Sequence, residues 1–268
     1  MVVFIKMIRF QVIVVILCTL LAFENGFGQR RHYSLSNVHS HNDYKQSNPF
    51  WNAYSHGLGS IEADTYLKNG KILIGHNVED LVDSVTLQKL YLDPLNAQLK
   101  INSGYPYQNH SKPVLLMIEM KTLGNQEIVP LVALLNLYPE IFHGKRTSVI
   151  ITGNLPSDSL MEKLPNYVLF DGQIRYVYSP KVLLHIGMLS DDLHHYVKWD
   201  GSQNISDKDF NILKDLVDKV HKIGKKVRFW NAPDNVLAWE TFIKLGVDYI
   251  NTDHIETISS FFSTISKK

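Results

Sequence analysis

Residues 207–230, DKDFNILKDLVDKVHKIGKKVRFW, carry the pattern that decides the fold of this chain. Apolar residues in the first two thirds recur at intervals of three and four, which places them on one stripe of a helix. They are Leu213, Leu216, Val217, Val220 and Ile223. Gly224 follows the stripe, where helices commonly end, and residues 226–230 form a short run that is typical of a strand. The segment therefore predicts a helix that leads directly into a strand.

The same alternation of short apolar runs and helical periods extends over most of the chain. The runs that predict strands are 34–39, 58–65, 71–75, 113–119, 147–152, 167–171, 182–187, 226–230 and 249–251. The segments that predict helices are 49–56, 85–99, 127–138, 158–164, 207–223, 235–245 and 255–265. Strands that alternate with helices indicate a parallel sheet, and eight strands are sufficient to close a barrel. We therefore predict an α/β fold, a TIM-type (β/α)8 barrel over residues 29–268 as one domain, least regular in its middle third.

Composition limits the chemistry that this domain can use. Of the 268 residues of the full chain 45% are hydrophobic, which is enough to form a large core. The net charge of +1 gives no field that would draw the chain to nucleic acid or anionic lipid, so no nucleic-acid partner is expected. A single cysteine excludes a disulfide scaffold and a thiolate metal cluster. Any catalytic chemistry must therefore depend on oxygen ligands and on the 12 histidines.

The amino-terminal segment has the organisation of a signal peptide. Lys6 and Arg9 precede an apolar run over residues 10–23, which is shorter than the roughly 20 residues that cross a bilayer. Residues 26–28, Gly-Phe-Gly, provide a small-x-small cleavage site. We expect residues 1–28 to be removed, the mature protein to be secreted or periplasmic, and no stable membrane insertion after cleavage. An uncleaved anchor is the alternative, because two arginines follow the run.

Polar side chains collect at the predicted strand ends, where β/α barrels carry their active sites. They are His39 and His41, then Glu62 and Asp64, then His76, then Glu119 and Lys121, and finally Trp230. Glu62 and Asp64 are two residues apart on a strand, so they share a face. Glu119 ends a strongly apolar strand, and a buried charge there requires a partner.

Each of these residues also has a purely structural interpretation. A carboxylate pair on a strand can face water, Lys121 alone can be the ionic partner of Glu119, and single histidines are often hydrogen-bonded structural residues. Three carboxylates, two histidines and a lysine that all lie at strand ends nevertheless favour a functional site.

The order of these residues resembles the glycerophosphodiester phosphodiesterase family, whose relatives include phosphatidylinositol-specific phospholipase C. The resemblance covers about residues 38–253 and depends on several short motifs. These are His-Ser-His-Asn-Asp-Tyr at 39–44, Glu-x-Asp at 62–64, the apolar strand before His76, Ile-Glu-x-Lys at 118–121, Trp-Asn at 230–231 and Thr-Asp at 252–253. The first of these motifs is typical of a divergent branch of the family.

The resemblance implies a role for each of these residues. The implied catalytic acid and base are His41 and His76, the implied metal ligands are Glu62, Asp64 and Glu119, and the implied substrate-binding residues are Asn42, Lys121 and Trp230. Such all-oxygen ligation selects Ca²⁺ or Mg²⁺. The family usually has Arg-Gly after its first histidine, and Asn42-Asp43 stand there instead, so a bidentate phosphate donor is missing. His39 is the alternative to His41 if the first strand ends earlier.

These expectations combine into one functional hypothesis. The chain is expected to be an exported, metal-dependent phosphodiesterase of lipid metabolism that cleaves a glycerol, inositol or related phosphodiester, whether a small molecule or a lipid head group. By resemblance, a hydroxyl of the substrate is the nucleophile and a cyclic phosphate forms. The alternatives are a carbohydrate-active lyase or hydrolase on the same barrel and a non-catalytic metal-binding relative. Neither the head group nor the oligomeric state follows from the sequence.

Overall fold

The computed structural model describes residues 32–265, and within this range the chain forms nine strands. The strands are β1 (Val38–Ser40), β2 (Ser60–Lys68), β3 (Lys71–Ile74), β4 (Val114–Met120), β5 (Thr147–Gly153), β6 (Leu169–Gln173), β7 (Ile186–Asp192), β8 (Lys226–Trp230) and β9 (Ile250–Thr252).

Helices lie between most of these strands. In the same described range they are α1 (Trp51–His56), α2 (Asp93–Ile101), α3 (Gly124–Leu135), α4 (Pro139–His143), α5 (Asp158–Met161), α6 (Pro180–His185), α7 (Asp207–Lys222), α8 (Val236–Leu245) and α9 (Ile255–Ile265). The helix α7 confirms the helix predicted over residues 207–223. The Ser206 hydroxyl caps it by accepting a hydrogen bond from the Asp209 amide, and its apolar stripe buries Leu213, Val217 and Val220.

Eight of the strands are parallel and form a nearly closed barrel. Their spatial order is β8, β7, β6, β5, β4, β2, β1 and β9. The barrel closes between β8 and β9, where Arg228 and Tyr249 form an isolated parallel bridge and the Asp248 amide donates to the Val227 carbonyl at 3.0 Å. The prediction of a TIM-type (β/α)8 barrel is confirmed.

The strand β3 is an excursion outside the barrel. It pairs antiparallel with the outer end of β2, with Lys68 opposite Lys71. The two turn residues, Asn69 and Gly70, both have positive φ (50° and 74°), as a two-residue hairpin with a primed turn requires. The predicted strand at 71–75 is therefore real, but it is not a barrel strand. Because the hairpin returns the chain toward the barrel mouth, the residue His76, which follows β3, lies at the mouth although β3 is not a barrel strand.

The predicted strand at 182–187 is wrong. Residues Pro180–His185 form α6, and β7 begins only at Ile186. The helix has a strong start signal, because Pro180 occupies its first turn and the Ser179 hydroxyl accepts a hydrogen bond from the Val182 amide. The apolar run that suggested a strand lies mostly in this helix. One face of the helix buries Val182, and the other leaves Leu184 74% exposed.

The first strand is shorter than the predicted range 34–39. Ser34 caps a single 3-10 turn over Leu35–Asn37, so β1 contains only Val38–Ser40. This boundary separates the two candidate histidines. His39 lies inside the strand, whereas His41 follows its end.

The inside of the barrel changes character along its axis. A separate apolar cluster is formed by inward side chains of three barrel strands, β4, β5 and β7, and the residue before β9, namely Leu115, Met117, Ile150, Met188 and Tyr249. Two positions further along β4, β5 and β7 the inward residues are polar, namely Glu119, Thr152 and Ser190. The carboxyl end of the barrel is therefore where buried polar groups accumulate.

The predicted signal segment, residues 1–28, lies outside the described residues. Among the helices of residues 32–265, none has both the length and the apolar character that a bilayer crossing requires.

One buried ionic cluster gives a direct test of this fold. Asp191 of β7 is 1% exposed, and its carboxylate accepts hydrogen bonds from Arg175 Nε, His195 Nδ1 and Tyr196 Oη, each at 2.8 Å. Burial alone would raise the pKa of Asp191, but these donors outweigh burial and hold the pKa below its usual value. The ionised form is therefore the one that the fold stabilises.

We expect Asp191→Asn to lower the free energy of unfolding at pH 7 by about 1–3 kcal/mol, because charged donors lose an anionic acceptor. The pKa of Asp191 is depressed in the folded state, so its contribution is present above the unfolded pKa and is lost as pH falls through the folded pKa. Urea denaturation of both proteins between pH 7 and pH 3 measures this. A difference that stays constant over that range would contradict the assignment.

Candidate active site

Three carboxylates converge at the barrel mouth. Glu62 and Asp64 project from the same face of β2, and Glu119 projects from β4, whose register places Glu119 directly opposite Asp64. One oxygen of each lies within 4.8 Å of one oxygen of each of the others. Glu62 and Asp64 are buried, and Glu119 is partly exposed. The arrangement is a concave set of hard oxygen donors that adjacent parallel strands hold in place.

The close approach of these acids changes their proton affinity. Burial, followed by the negative charges of Asp64 and Glu62, raises the pKa of Glu119 to about 7. Lys121 partly offsets this charge, because its ammonium donates to Glu119 Oε1 at 2.8 Å and lies 3.1 Å from Asp64 Oδ2. Asp64 and Glu119 thus share the single ammonium group of Lys121, and the three carboxylates together keep an excess of negative charge.

The carboxylate of Asp64 has a vacant acceptor. Its Oδ2 is bonded by Tyr44 and approached by Lys121, whereas its Oδ1 is buried and has no hydrogen-bond partner among residues 32–265. A buried carboxylate oxygen without a partner is costly, and a hard divalent cation is the ligand that satisfies it. The residues present therefore fit a Ca²⁺ or Mg²⁺ ion held by Glu62, Asp64 and Glu119.

A glycine on the neighbouring strand makes room for Glu119. Gly153, at the end of β5, has φ +82°, and a Cβ there would lie 2.7 Å from Glu119 Cγ and 2.5 Å from the Met120 carbonyl oxygen. Any other residue would displace the side chain of Glu119.

His41 lies on the side of the cluster that Glu62 occupies. Its Nδ1 donates to Asp253 Oδ1 at 2.9 Å, and its Nε2 lies 3.9 Å from Glu62 Oε2. Burial lowers the pKa of His41, but the hydrogen bond to Asp253 and the charge of Glu62 outweigh burial, so the pKa is raised overall. The ring is 39% exposed and faces the cleft, in which it can exchange a proton with a ligand.

His39 occupies a different environment. It is completely buried, with Nδ1 2.7 Å from Ser60 Oγ and Nε2 3.3 Å from Arg228 Nη1. Burial and the positive charge of Arg228 lower the pKa of His39 to about 4. A neutral ring enclosed on all sides supports its neighbours, whereas His41 is the histidine that meets the cleft.

His76 lies on the Asp64 side and is held by Tyr44. The Tyr44 hydroxyl is 2.9 Å from His76 Nδ1, 2.7 Å from Asp64 Oδ2 and 2.7 Å from Asn42 Oδ1. Asn42 has a left-handed backbone (φ 49°), and its backbone amide donates a hydrogen bond to Glu62 Oε2 at 3.1 Å. Asn42 therefore orients Glu62 and Tyr44, and its side chain also lies against the ring of His41.

The loop that carries these residues is fixed by a buried carboxylate. Asp43 accepts hydrogen bonds from Ser40 Oγ at 2.8 Å, from the Phe50 amide at 2.6 Å and from Tyr91 Oη at 3.1 Å. Burial raises the pKa of Asp43, and these three donors oppose the rise. Asp43 is buried, and its hydrogen bonds hold the conformation of the loop.

The cluster opens into one cleft of about 770 Å³ at the carboxyl end of the barrel. Its lining includes Lys121, and it includes Trp230, which is 39% exposed at the end of β8 and packs edge-to-face near His195. All eight predicted site residues thus lie at the barrel mouth. Lys121 is paired with Asp64 and Glu119, whereas a lysine that serves only to bind phosphate would have no ionic partner in the protein.

Sequence reasoning did not select Tyr44, Asp253, Asp171 or Arg228. Tyr44 and Asp253 belong to the quoted motifs, and only their contacts with His76 and His41 reveal a role. Asp171 and Arg228 line the same cleft from β6 and β8. An arginine inside an otherwise apolar strand was the available signal for Arg228.

Comparisons with known proteins agree with this geometry. Residues 30–171 match the family described as AIM6-like phosphodiesterase domain, and residues 226–256 match the glycerophosphoryl diester phosphodiesterase family. The barrel and its mouth thus define a protein of the glycerophosphodiester phosphodiesterase-like superfamily, and the resemblance drawn from the motifs is confirmed. Within that superfamily, the chain belongs to the AIM6-like phosphodiesterase domain family.

Curated relatives cover most of the chain. "Altered inheritance of mitochondria protein 6" from Eremothecium gossypii is 25% identical over 85% of this chain and 69% of its own length. Its homolog from Arthroderma benhamiae is 26% identical over 84% of this chain and 83% of its own length. A solved glycerophosphodiester phosphodiesterase from Parabacteroides distasonis superposes with a TM-score of 0.54 and 18% identity, covering 86% of this chain and 98% of that one. The solved structure supports the fold.

The acidic cluster predicts that a divalent cation stabilises the folded protein. Ca²⁺ or Mg²⁺ at 100 times its Kd should raise the free energy of unfolding by about 2.7 kcal/mol. Asp64→Asn and Glu119→Gln should each weaken the cation at least tenfold, because each removes one anionic ligand. Calorimetric titration and thermal unfolding measure both effects.

Asp83→Asn is the matched control, because Asp83 is 71% exposed in the loop after β3 and its carboxylate lies 3.9 Å from Lys71 Nζ. Its cation affinity should equal that of the wild type. Equal affinity in the Asp64 and Glu119 variants would show that the cation binds elsewhere.

Proposed function

We propose that the chain is a metal-dependent phosphodiesterase that cleaves a phosphodiester of glycerol, inositol or a related polyol. One observation carries the proposal: Glu62, Asp64 and Glu119 converge between two imidazoles, His41, which lines the cleft, and His76, which lies 3.5 Å from Asp64 Oδ2 and contacts Tyr44. A phosphodiester is anionic and gains negative charge in its transition state, so a site for it needs positive charge and two proton-transfer groups.

The cation would be held by the three carboxylates, and when bound it supplies positive charge that stabilises a phosphoryl oxygen. Glu62 is kept in the anionic form that a ligand must have. Burial alone would raise the pKa of Glu62, but His39, whose Nε2 lies 3.6 Å from Glu62 Oε2, and the charge of Arg228 hold the pKa below its usual range. The Tyr44 hydroxyl orients Asp64, and the backbone amide of Asn42 orients Glu62.

Positive charge from side chains is limited at this site. Within residues 32–265, the cleft is lined by Lys121 and Arg228, and each contacts a carboxylate: Lys121 contacts Glu119, and Arg228 contacts Asp171. Asn42 stands where the family has an arginine and brings no charge. Cleavage in this chain therefore depends on the cation more strongly than it would with an unpaired arginine beside the phosphate.

His41 acts as the base in this proposal. Its Nδ1 proton is held by Asp253, which leaves Nε2 to remove the proton from a hydroxyl of the substrate. The hydroxyl oxygen attacks phosphorus, the bond from phosphorus to the leaving oxygen breaks, and His76 gives a proton to that oxygen. The products are a cyclic phosphodiester and an alcohol, and the cyclic ester is released or hydrolysed.

Catalysis is tested with single variants on a panel of glycerol and inositol phosphodiesters. His41→Ala and His76→Ala should each lower kcat at least about 100-fold, since general acid–base catalysis typically contributes 10²–10⁴-fold. Both variants should bind the cation as the wild type does. His110→Ala is the control, because His110 is exposed and stacks on Tyr105 away from the cleft.

Full turnover in both histidine variants would refute the mechanism. Cation binding with no turnover of any phosphodiester would identify a non-catalytic relative. Cleavage of uncharged glycosides in place of phosphodiesters would identify a carbohydrate-active enzyme on the same barrel.

Export is part of the proposal, and the apolar run at 10–23 with its flanking basic residues supports it. Residues 1–33 fused to a reporter should direct the reporter out of the cell, and the amino terminus of the mature fusion should begin at Gln29. Retention of the uncleaved fusion in the membrane would indicate an anchor. In either case the proposed partner is a small-molecule or lipid head-group phosphodiester, with no nucleic acid.

A further inference from the structure

The hydroxyl of Tyr44 lies between three polar groups of the barrel mouth, one of which is the ring of His76. Its oxygen is 2.7 Å from Asp64 Oδ2, 2.7 Å from Asn42 Oδ1 and 2.9 Å from His76 Nδ1. A tyrosine hydroxyl has one proton, so it can donate to only one of these groups and must accept from the others. The direction of all three hydrogen bonds therefore follows from the position of that one proton.

Asp64 is the group that takes the proton of Tyr44. A carboxylate oxygen can only accept, and an ionised acceptor forms a stronger hydrogen bond than a neutral one. Asp64 is also only 1% exposed, so water cannot replace the hydroxyl there. With the Tyr44 proton directed to Asp64, the ring of His76 must donate from Nδ1 to the Tyr44 oxygen.

The side-chain amide of Asn42 supports this assignment. Its Oδ1 faces Tyr44, where two acceptors would meet if the Tyr44 proton is directed to Asp64. Its Nδ2 lies 3.0 Å from His41 Nδ1, where two donors would meet because that nitrogen donates to Asp253. A half-turn of the amide exchanges its oxygen and nitrogen and removes both conflicts. Tyr44 then donates once and accepts twice, which uses its full hydrogen-bonding capacity.

The assignment fixes which nitrogen of His76 can serve a substrate. Nδ1 keeps its proton, so Nε2 is the nitrogen that gives a proton away. Asp64 Oδ2 is 3.5 Å from His76 Nδ1, which is longer than an N–H···O hydrogen bond, so Tyr44 rather than Asp64 orients the ring. Among residues 32–265, no other group forms a hydrogen bond with this ring.

We propose that Tyr44 is a positioning residue for the general acid: it accepts the Nδ1 proton of His76 and so directs Nε2 to the leaving oxygen. This inference rests on the proposed function, in which His76 is the acid. In that step the bond from phosphorus to the leaving oxygen breaks and the oxygen takes the proton of Nε2. The neutral ring keeps its proton on Nδ1, and Tyr44 exchanges no proton with the substrate.

Two esters that differ only in the leaving group measure this role. Methyl glycerol phosphate releases an alkoxide that must be protonated, whereas the para-nitrophenyl ester releases a stable phenolate that needs no acid. At saturating Ca²⁺ or Mg²⁺, Tyr44→Phe should lower kcat for the methyl ester about 10- to 100-fold and kcat for the para-nitrophenyl ester less than about threefold. His76→Ala should likewise slow the methyl ester far more than the para-nitrophenyl ester.

The matched control is Tyr138→Phe, because the Tyr138 hydroxyl also donates to a carboxylate, Asp93 Oδ1 at 2.6 Å, and neither residue lines the cleft. This variant should cleave both esters at wild-type rates. Tyr66→Phe tests the loop instead of the ring, since the Tyr66 hydroxyl donates to the backbone carbonyl of His76 at 3.1 Å. It should keep the wild-type ratio of the two rates, and a change as large as that in Tyr44→Phe would overturn the inference.

A spectroscopic measurement tests the assignment without turnover. Nitrogen NMR of the full chain, isotopically labelled at histidine, distinguishes the two tautomers of a neutral imidazole, and His76→Ala identifies the signals of His76. The wild-type ring should carry its proton on Nδ1, and Tyr44→Phe should lose this preference because the acceptor is gone. The wild-type spectrum alone is decisive if Tyr44→Phe does not fold, since a proton on Nε2 would overturn the inference.

The outcomes distinguish failure of this inference from failure of the proposed function. Equal slowing of both esters in Tyr44→Phe would show that Tyr44 acts through Asp64 and the cation, which overturns the inference and leaves the phosphodiesterase intact. No turnover of either ester by the wild-type protein would overturn the proposed function, and the tautomer of His76 would still decide whether Tyr44 orients the ring.

Discussion

Repulsion among three carboxylates is the constraint on which this site depends. Parallel register places Glu119 opposite Asp64, and alternation along β2 places Glu62 on the same face, so the barrel holds their oxygens within 4.8 Å. The cost of this arrangement is visible in the pKa of Glu119, which burial and its neighbours raise to about 7. Lys121, Tyr44 and the Asn42 amide each relieve part of the charge. The remaining excess and the unpaired Asp64 Oδ1 are the features that a hard cation would satisfy.

The loop after β1 positions the other polar residues at the barrel mouth, and each of its residues makes a different set of contacts. His41 faces the cleft, Asn42 turns the backbone and bonds Glu62, and Tyr44 connects Asp64 to His76. Asp43 is buried and secures the loop to Phe50 and Tyr91. Two aspartates of the quoted motifs therefore have different roles. Asp64 belongs to the cluster of three acids, whereas Asp43 stabilises the backbone of the loop beside that cluster.

The fold was predictable where local patterns and tertiary structure agree. The helix α7 has a cap, an apolar stripe and a glycine stop, and the structure contains it with nearly the predicted limits. The segment at 182–187 was not predictable from its apolar run, because the same residues suit a buried strand or one face of a helix. There the capping Ser179 and Pro180 decided for a helix. The β3 hairpin was assigned as a strand correctly, but its direction depends on the positive φ of Asn69 and Gly70.

Sequence by itself determined the alternation of strands and helices and the polar residues at strand ends, because periodicity and strand alternation are local properties. It also placed Glu62 and Asp64 on one face. Only the tertiary structure decided that Glu119 joins them, that His39 is enclosed while His41 is accessible, and that Asp171 and Arg228 meet inside the barrel. These contacts join residues that are 21 to 189 positions apart or depend on where a strand ends. Barrel closure and burial fix them, and neither is contained in any short segment of the chain.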